Sequence, residues 1–376
     1  MHNSAFVRRF GARLLIAGMF LFALLAGYTA PAFAATEPAG YVYTTTNAPG
    51  GNAVLAYLRA EDGTLSFQGS YATGGLGTGA GLGSQGALVV SQNHHWLFAV
   101  NAGSNSVSAF MITDAGLVLT DTESSGGMMP VSVASYQNLV YVVNAGGSGN
   151  IAGFMVASNG DLSPIAGSVQ PASNGGVGAA PGLAQISFTP DGAALVVTEK
   201  ATNLIDTYLL TNGAAGAPVT HPSAGMTPFG FAFNKRGILV VSEAFGGAPG
   251  GSALSSYAVS GNNVTLVSPS VWTTQTAACW VAIPRNGKFA YTTNAGSASI
   301  SSYRIARNGS LTLMNPVAGV TGAGAVDMAF SGSSSFLYAL GSAGHTISMF
   351  AMQAGGSLAA LGSIGVPAGV AGLAAY

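Results

Sequence analysis

Two glutamates end matching apolar runs, Val196-Val197-Thr198-Glu199 and Val240-Val241-Ser242-Glu243. Two carboxylates held close together repel, and the repulsion raises the pKa of at least one. One can then give a proton while the other activates water, as in an acid–base hydrolase. The alternative is that each glutamate caps its strand by accepting loop N–H groups. His221, in Thr220-His221-Pro222-Ser223, is the third candidate. It is a general base by residue type, expected on the loop entering the fifth repeat, near Glu243. Its competing reading is an exposed loop histidine.

Those two runs belong to a set of seven. The others are Tyr43-Thr44-Thr45-Thr46-Asn47, Phe98-Ala99-Val100-Asn101, Tyr141-Val142-Val143-Asn144, Tyr291-Thr292-Thr293-Asn294 and Tyr338-Ala339-Leu340-Gly341. The final residues step by 54, 43, 55, 44, 51 and 47 positions. A four-strand unit of this period predicts an all-β fold, a seven-bladed β-propeller with antiparallel blades. Hairpin turns mark the blades. Asp62-Gly63, Asn159-Gly160 and Asn308-Gly309 join third to fourth strands, while Pro190-Asp191-Gly192 and Asn286-Gly287 join first to second. Such pairs supply the positive φ that tight hairpins need. Blades are expected over 40–75, 86–127, 128–176, 180–225, 226–275, 276–324 and 325–365. The first lacks an innermost strand, and 367–376 resembles one, so the C-terminus should complete blade one and cover two open edges.

The first 34 residues read as an export signal. Arg8, Arg9 and Arg13 precede an apolar run from Leu14 to Leu25, and Ala32-Phe33-Ala34 is a small-x-small cleavage site. The mature chain, 35–376, is expected to be one propeller domain without a stable membrane span, periplasmic or extracellular, and monomeric. Without the leader, 8 basic residues face 12 acidic ones, and no basic run exists. Nucleic acid is therefore not an expected partner. Cys279 is the sole cysteine, which excludes an intramolecular disulfide. It sits between Ala278 and Trp280 with no cation in view, the setting of an inert thiol.

Other chemistries lack their motifs. His94-His95 and His345 have no partners at ligand spacing, so neither a metal nor another cofactor is expected. No Gly-x-Ser-x-Gly elbow occurs. The Gly-rich stretch Gly74 to Gly86 opens no helix and reads as a long loop between blades one and two. Aligned inner strands place Ala87, Gln185, Gly230, Trp280 and Asp327 at one level. Gln185, Trp280 and Asp327 stand out there as large or polar. A buried aspartate must be hydrogen-bonded, and it would hold a ligand, a water or a loop. Lys200 is expected to pair with Asp206.

Five stretches carry a family resemblance: Thr198-Glu199-Lys200-Ala201-Thr202-Asn203-Leu204-Ile205-Asp206, Pro228-Phe229-Gly230-Phe231-Ala232-Phe233, Ser242-Glu243-Ala244-Phe245-Gly246, Ser252-Ala253-Leu254-Ser255-Ser256-Tyr257 and Thr273-Thr274-Gln275-Thr276-Ala277-Ala278-Cys279-Trp280. They resemble the secreted branch of the lactonase-type seven-bladed propellers, relatives of 6-phosphogluconolactonase and carboxymuconate cyclase. The resemblance spans essentially the mature chain. It implies a central ligand funnel and chemistry on lactone rings. In such propellers the ends of the second strands line the funnel, which would place Asn47, Asn101, Asn144, Glu199, Glu243, Asn294 and Gly341 around its mouth. Asn101, Asn144, Asn294, Gln185, Asp327 and Trp280 then become substrate-binding candidates, with Glu199, Glu243 and His221 catalytic. A phosphorylated substrate needs cations. Arg59, Arg236, Arg285, Arg304, Arg307, Lys200, Lys235 and Lys288 are all expected away from the funnel, which favours a small neutral lactone. The second function class is a non-catalytic binding or cell-surface propeller, because strand ends such as Tyr141-Val142-Val143-Asn144 also resemble surface-layer repeats.

Overall fold

The computed structural model describes residues 39–376. The expected export segment, 1–34, lies outside the described residues. Seven antiparallel sheets follow one another along the chain. Their innermost strands are Ala371–Ala375, Leu88–Val90, Pro130–Tyr136, Leu183–Phe188, Pro228–Phe233, Ala278–Ala282 and Ala325–Phe330. Each inner strand packs against the next, and the seventh packs against the first, so the blades close into a ring. Blades three and four have interrupted outer strands: Leu162–Pro164 with Gln170–Pro171, and Ala214–Ala215 with Val219–Pro222.

Ring closure occurs as the sequence predicts. Ala371–Ala375 pairs antiparallel with Gly40–Thr45, with Val42 opposite Ala375 and Tyr43 opposite Ala374. The register slips between Tyr43 and Thr45. At that slip Gly372 takes φ +75°, and a Cβ there would lie 2.5 Å from Leu88 Cδ2. Glycine is required on both counts. Thr44 Oγ1 donates to the Gly372 carbonyl at 2.7 Å and Thr45 Oγ1 to the Ala371 carbonyl at 2.8 Å.

A tyrosine on the second strand links several blades to the next. Tyr338 of blade seven donates to the Gly63 carbonyl in blade one's hairpin at 2.9 Å. Tyr141 reaches Gly213 and Tyr291 reaches Gly356 in the same way, at 2.7 and 2.6 Å. Gly63 packs so closely on blade seven that a Cβ would meet Phe336 Cδ1 at 2.3 Å. The Asp-Gly turn thus serves φ and packing together.

Six inner strands carry a register irregularity: those at Tyr43/Thr45, Pro130/Ser132, Leu183/Gln185, Pro228/Phe231, Ala278/Trp280 and Ala325/Met328. Bulges bend a strand and re-aim its side chains. Here they fall at the level of Gln185, Gly230, Trp280 and Asp327, and this positions the site.

Candidate functional site: a plugged central channel

The strand-end residues do not face the channel. Four of them sit one strand away from the axis, with an inner strand between: Leu183 pairs with Glu199, Pro228 with Glu243, Pro130 with Asn144 and Ala278 with Asn294. Their side chains turn instead into the blade and its crossover loops. Glu199 accepts from the Ser173 N–H at 2.9 Å, from the Ser173 hydroxyl and from Thr202. Glu243 accepts from the Gly225 N–H at 2.8 Å and from the hydroxyls of Ser255 and Ser270. Both glutamates are fully buried and share no partner. Asn101 bonds Ser106, Ser108 and Asn52; Asn144 bonds Ser125 and Asn150; Asn294 bonds Ser299 and Ser301. The expected trio is therefore not assembled. His221 lies on the outer strand of blade four, opposite Ile205, with Nε2 3.3 Å from Thr207 Oγ1.

Asp206 meets Glu199 rather than Lys200. Burial, and then the neighbouring Glu199, push the Asp206 carboxyl up to about 9, and both its oxygens are buried without a hydrogen-bond partner. A carboxyl in that setting keeps its proton. Burial also raises Glu243, against the opposing hydrogen bonds of Ser255, Ser270 and Gly225. Lys200 instead donates to the Gly83 carbonyl, its Nζ 4.6 Å from the centre of the Phe229 ring. Burial pushes the Cys279 thiol up to about 12, so it stays protonated.

Gly83 belongs to a segment that fills the middle of the channel. Ser84 Oγ donates to Val131 O at 2.7 Å, and the Trp280 indole donates to Ser84 O at 2.7 Å. The Gln85 carboxamide clamps the Val281 peptide, donating to its carbonyl at 2.8 Å and accepting its N–H at 3.1 Å. Gly86 N–H donates to Asp327 Oδ2 at 3.0 Å, and Val133 N–H donates to Gly86 O at 2.8 Å. Blades three, four, six and seven thus grip one plug. A Cβ on Gly230 would lie 2.1 Å from Gln85 Oε1, so only glycine admits the clamp. Gln185 repeats the device one blade on: it donates to Phe231 O at 3.0 Å and accepts Phe231 N–H at 2.7 Å.

The plug divides the channel into two chambers. A larger one, of about 460 Å³, is lined by Gln85, Gly86, Gln185, Ser187, Asp327 and, at its rim, Lys235. A smaller one, of about 250 Å³, is lined by Gly81–Ser84, Trp280, Val326 and again Asp327. Asp327 is the one carboxyl lining either chamber. Burial raises it to about 7, against the lowering effect of backbone N–H groups from Gly86, Met328 and Leu373. At that value the group exchanges a proton near neutrality.

Of the sequence candidates, Gln185, Asp327 and Trp280 reach the channel, while Glu199, Glu243, His221, Asn101, Asn144 and Asn294 line neither chamber. Lys235, expected away from the funnel, lines the larger chamber, because the hairpins between first and second strands ring that end of the channel. Gln85 and the plug went unforeseen. Their one sequence trace is the Gly-rich stretch, whose end leaves the inner strand of blade two only Leu88–Val90. Among the described residues no three His, Cys, Asp or Glu side chains converge as a metal site would require. None of the described helices is long and apolar enough to cross a membrane.

Solved structures share this architecture. A putative 6-phosphogluconolactonase from Bacteroides fragilis aligns with TM-score 0.67 and 17% identity, covering 89% of this chain and 97% of its own. The periplasmic gluconolactonase of Pseudomonas aeruginosa aligns with TM-score 0.68 and 15% identity, over 89% and 98%. A protein from Lactobacillus plantarum gives TM-score 0.71 at 16% identity, over 89% and 98%. At such identities the likeness shows the fold alone. None of the curated proteins matches the chain. Residues 64–371 match the family described as "Lactonase, 7-bladed beta-propeller". With its blades, ring closure and central channel, the chain belongs to that lactonase family of seven-bladed β-propellers.

Proposed function

We propose that the protein is an exported lactonase that opens a small, uncharged, hydroxylated lactone in the larger chamber, with Asp327 moving the proton. The observation that carries this reading is the position of Asp327, the channel's one carboxyl, with its proton held up to about 7. Family membership and the names of the two lactonase neighbours supply the lactone class. The Asp327 carboxylate takes a proton from water as the oxygen adds to the lactone carbonyl. The tetrahedral adduct then expels the ring oxygen, which takes that proton back. One water is consumed, and a hydroxy acid leaves. Lys235 is the chamber's single cation and is exposed at the rim. One exposed ammonium holds a phosphate weakly compared with a bidentate arginine clamp, which favours an uncharged substrate. Export rests on the leader's composition, and the monomeric state is part of the same reading.

The competing function is a binding propeller in which Asp327 only latches the plug. What favours it is that both carboxyl oxygens already accept backbone N–H groups, from Gly86 and Met328 at 3.0 Å each. Asp327→Asn separates the two. A catalytic base lost this way costs about 10²–10⁴-fold in rate. A latch alone would leave the rate of gluconolactone opening unchanged and lower the melting temperature.

A further inference from the structure

Beside the larger chamber, between the hairpin ends of blades two and three, lies a cleft of about 490 Å³. Gln92 lines both spaces, so they adjoin. Four residues with carboxamide side chains line the cleft, Gln92, Asn93, Gln137 and Asn138, with Ser158 beside them; Asn93 Oδ1 already accepts from the Ser91 hydroxyl and the His95 N–H, which leaves its amino group for a ligand. All five residues are exposed, and nothing lining the cleft is charged. Trp96 lines it too but is 6% exposed, so the indole is part of the wall and offers no open stacking face.

A carboxamide offers a donor and an acceptor side by side, as a hydroxyl does. A row of them without charge matches neighbouring hydroxyls of a neutral polyol. It offers no opposite charge to a phosphate or an ammonium group. Because the cleft adjoins the larger chamber, a molecule filling both has a reactive ring at one end and a hydroxylated ring at the other. We propose that the substrate is a glycosylated aldonolactone, its lactone ring beneath Asp327 and its second sugar ring in the carboxamide cleft. This rests on the lactone-opening reading above. The bond broken is still the ring ester, by addition of one water, and the glycosidic bond stays intact.

The test compares gluconolactone with cellobionolactone and maltobionolactone on the whole mature protein. Two or three added neutral hydrogen bonds predict a kcat/KM about tenfold or more higher for one glycosylated lactone. Asn138→Ala and Gln137→Gly line only the cleft, and glycine suits the positive φ at position 137. Each should reduce kcat/KM for that lactone several-fold and leave gluconolactone within about twofold. Equal kcat/KM for all three lactones, or equal losses on all of them in the variants, overturns the inference while the lactonase reading stands. If no lactone is opened, the lactonase reading falls, and cellobiose and maltose titrated by NMR decide the cleft. Binding lost in both variants supports a saccharide site, and absence of binding rejects it.

Discussion

The Gly86 N–H donates to Asp327 Oδ2 across 3.0 Å, joining the loop that leaves blade one to the inner strand of blade seven. The chamber's titratable group therefore also fastens the plug, and chemistry and architecture meet at one carboxyl.

The pH dependence of turnover follows from that carboxyl. A base must be ionised to accept a proton, so kcat/KM, corrected for spontaneous opening, should rise with pH and level off above about 7. A profile flat from pH 5 to 9 would remove Asp327 from the proton path.

Stability should run the other way. Asp206 is held up to about 9 in the fold, against 3.8 for an unperturbed aspartate. The folded state keeps a proton that the unfolded chain loses, so this contribution is complete below about pH 4 and declines until about pH 9. Between pH 7 and 9 the loss is about 1.4 kcal/mol per pH unit for one proton. Asp206→Asn removes the buried titrating group, so it should flatten that slope and raise the melting temperature at pH 8. Urea unfolding across the range checks this, and an unchanged slope would show that Asp206 does not carry the proton.

Glu243→Gln should leave lactone opening intact, because Glu243 lines neither chamber. Gln keeps one acceptor among the Gly225, Ser255 and Ser270 donors, so the expected cost is about 1–3 kcal/mol of stability. A large fall in rate with unchanged melting would return Glu243 to the chemistry.

Truncation after Val366 removes the strand Ala371–Ala375 and bares both the edge of Gly40–Thr45 and the flank of blade seven. The shortened chain should aggregate or unfold without cooperativity. Calorimetry showing an unaltered transition would contradict closure by this strand.

Phosphorylated gluconolactone should be opened no faster than it opens unaided, since Lys235 is the chamber's lone cation. Measurable turnover that disappears in Lys235→Met would instead identify a phosphate subsite at the rim.

The architecture was legible because its signals are local and repeated. Asp62-Gly63 and Asn308-Gly309 fix hairpins through backbone φ, and seven like strand ends fix the count. Asp327, Gln185 and Trp280 were legible as oddities at one level of the inner strands. The directions of Glu199 and Glu243 were not. Sequence shows that a residue ends a strand, but whether its carboxylate meets a funnel or a loop depends on the inner strand beside it and on distant Ser173 and Gly225. The plug was hidden for a similar reason: glycines mark a loop, while its path through the ring is set by partners as remote as Val281 and Asp327.

Closure by the C-terminus also sets a clock. Thr44 and its partner Ala371 stand 327 residues apart. At a synthesis rate of about 5–20 residues per second, the first blade waits roughly 15–65 s for its fourth strand to be made. Throughout that interval its edge is bare, and the nascent chain depends on whatever holds it apart from its neighbours until that strand is made.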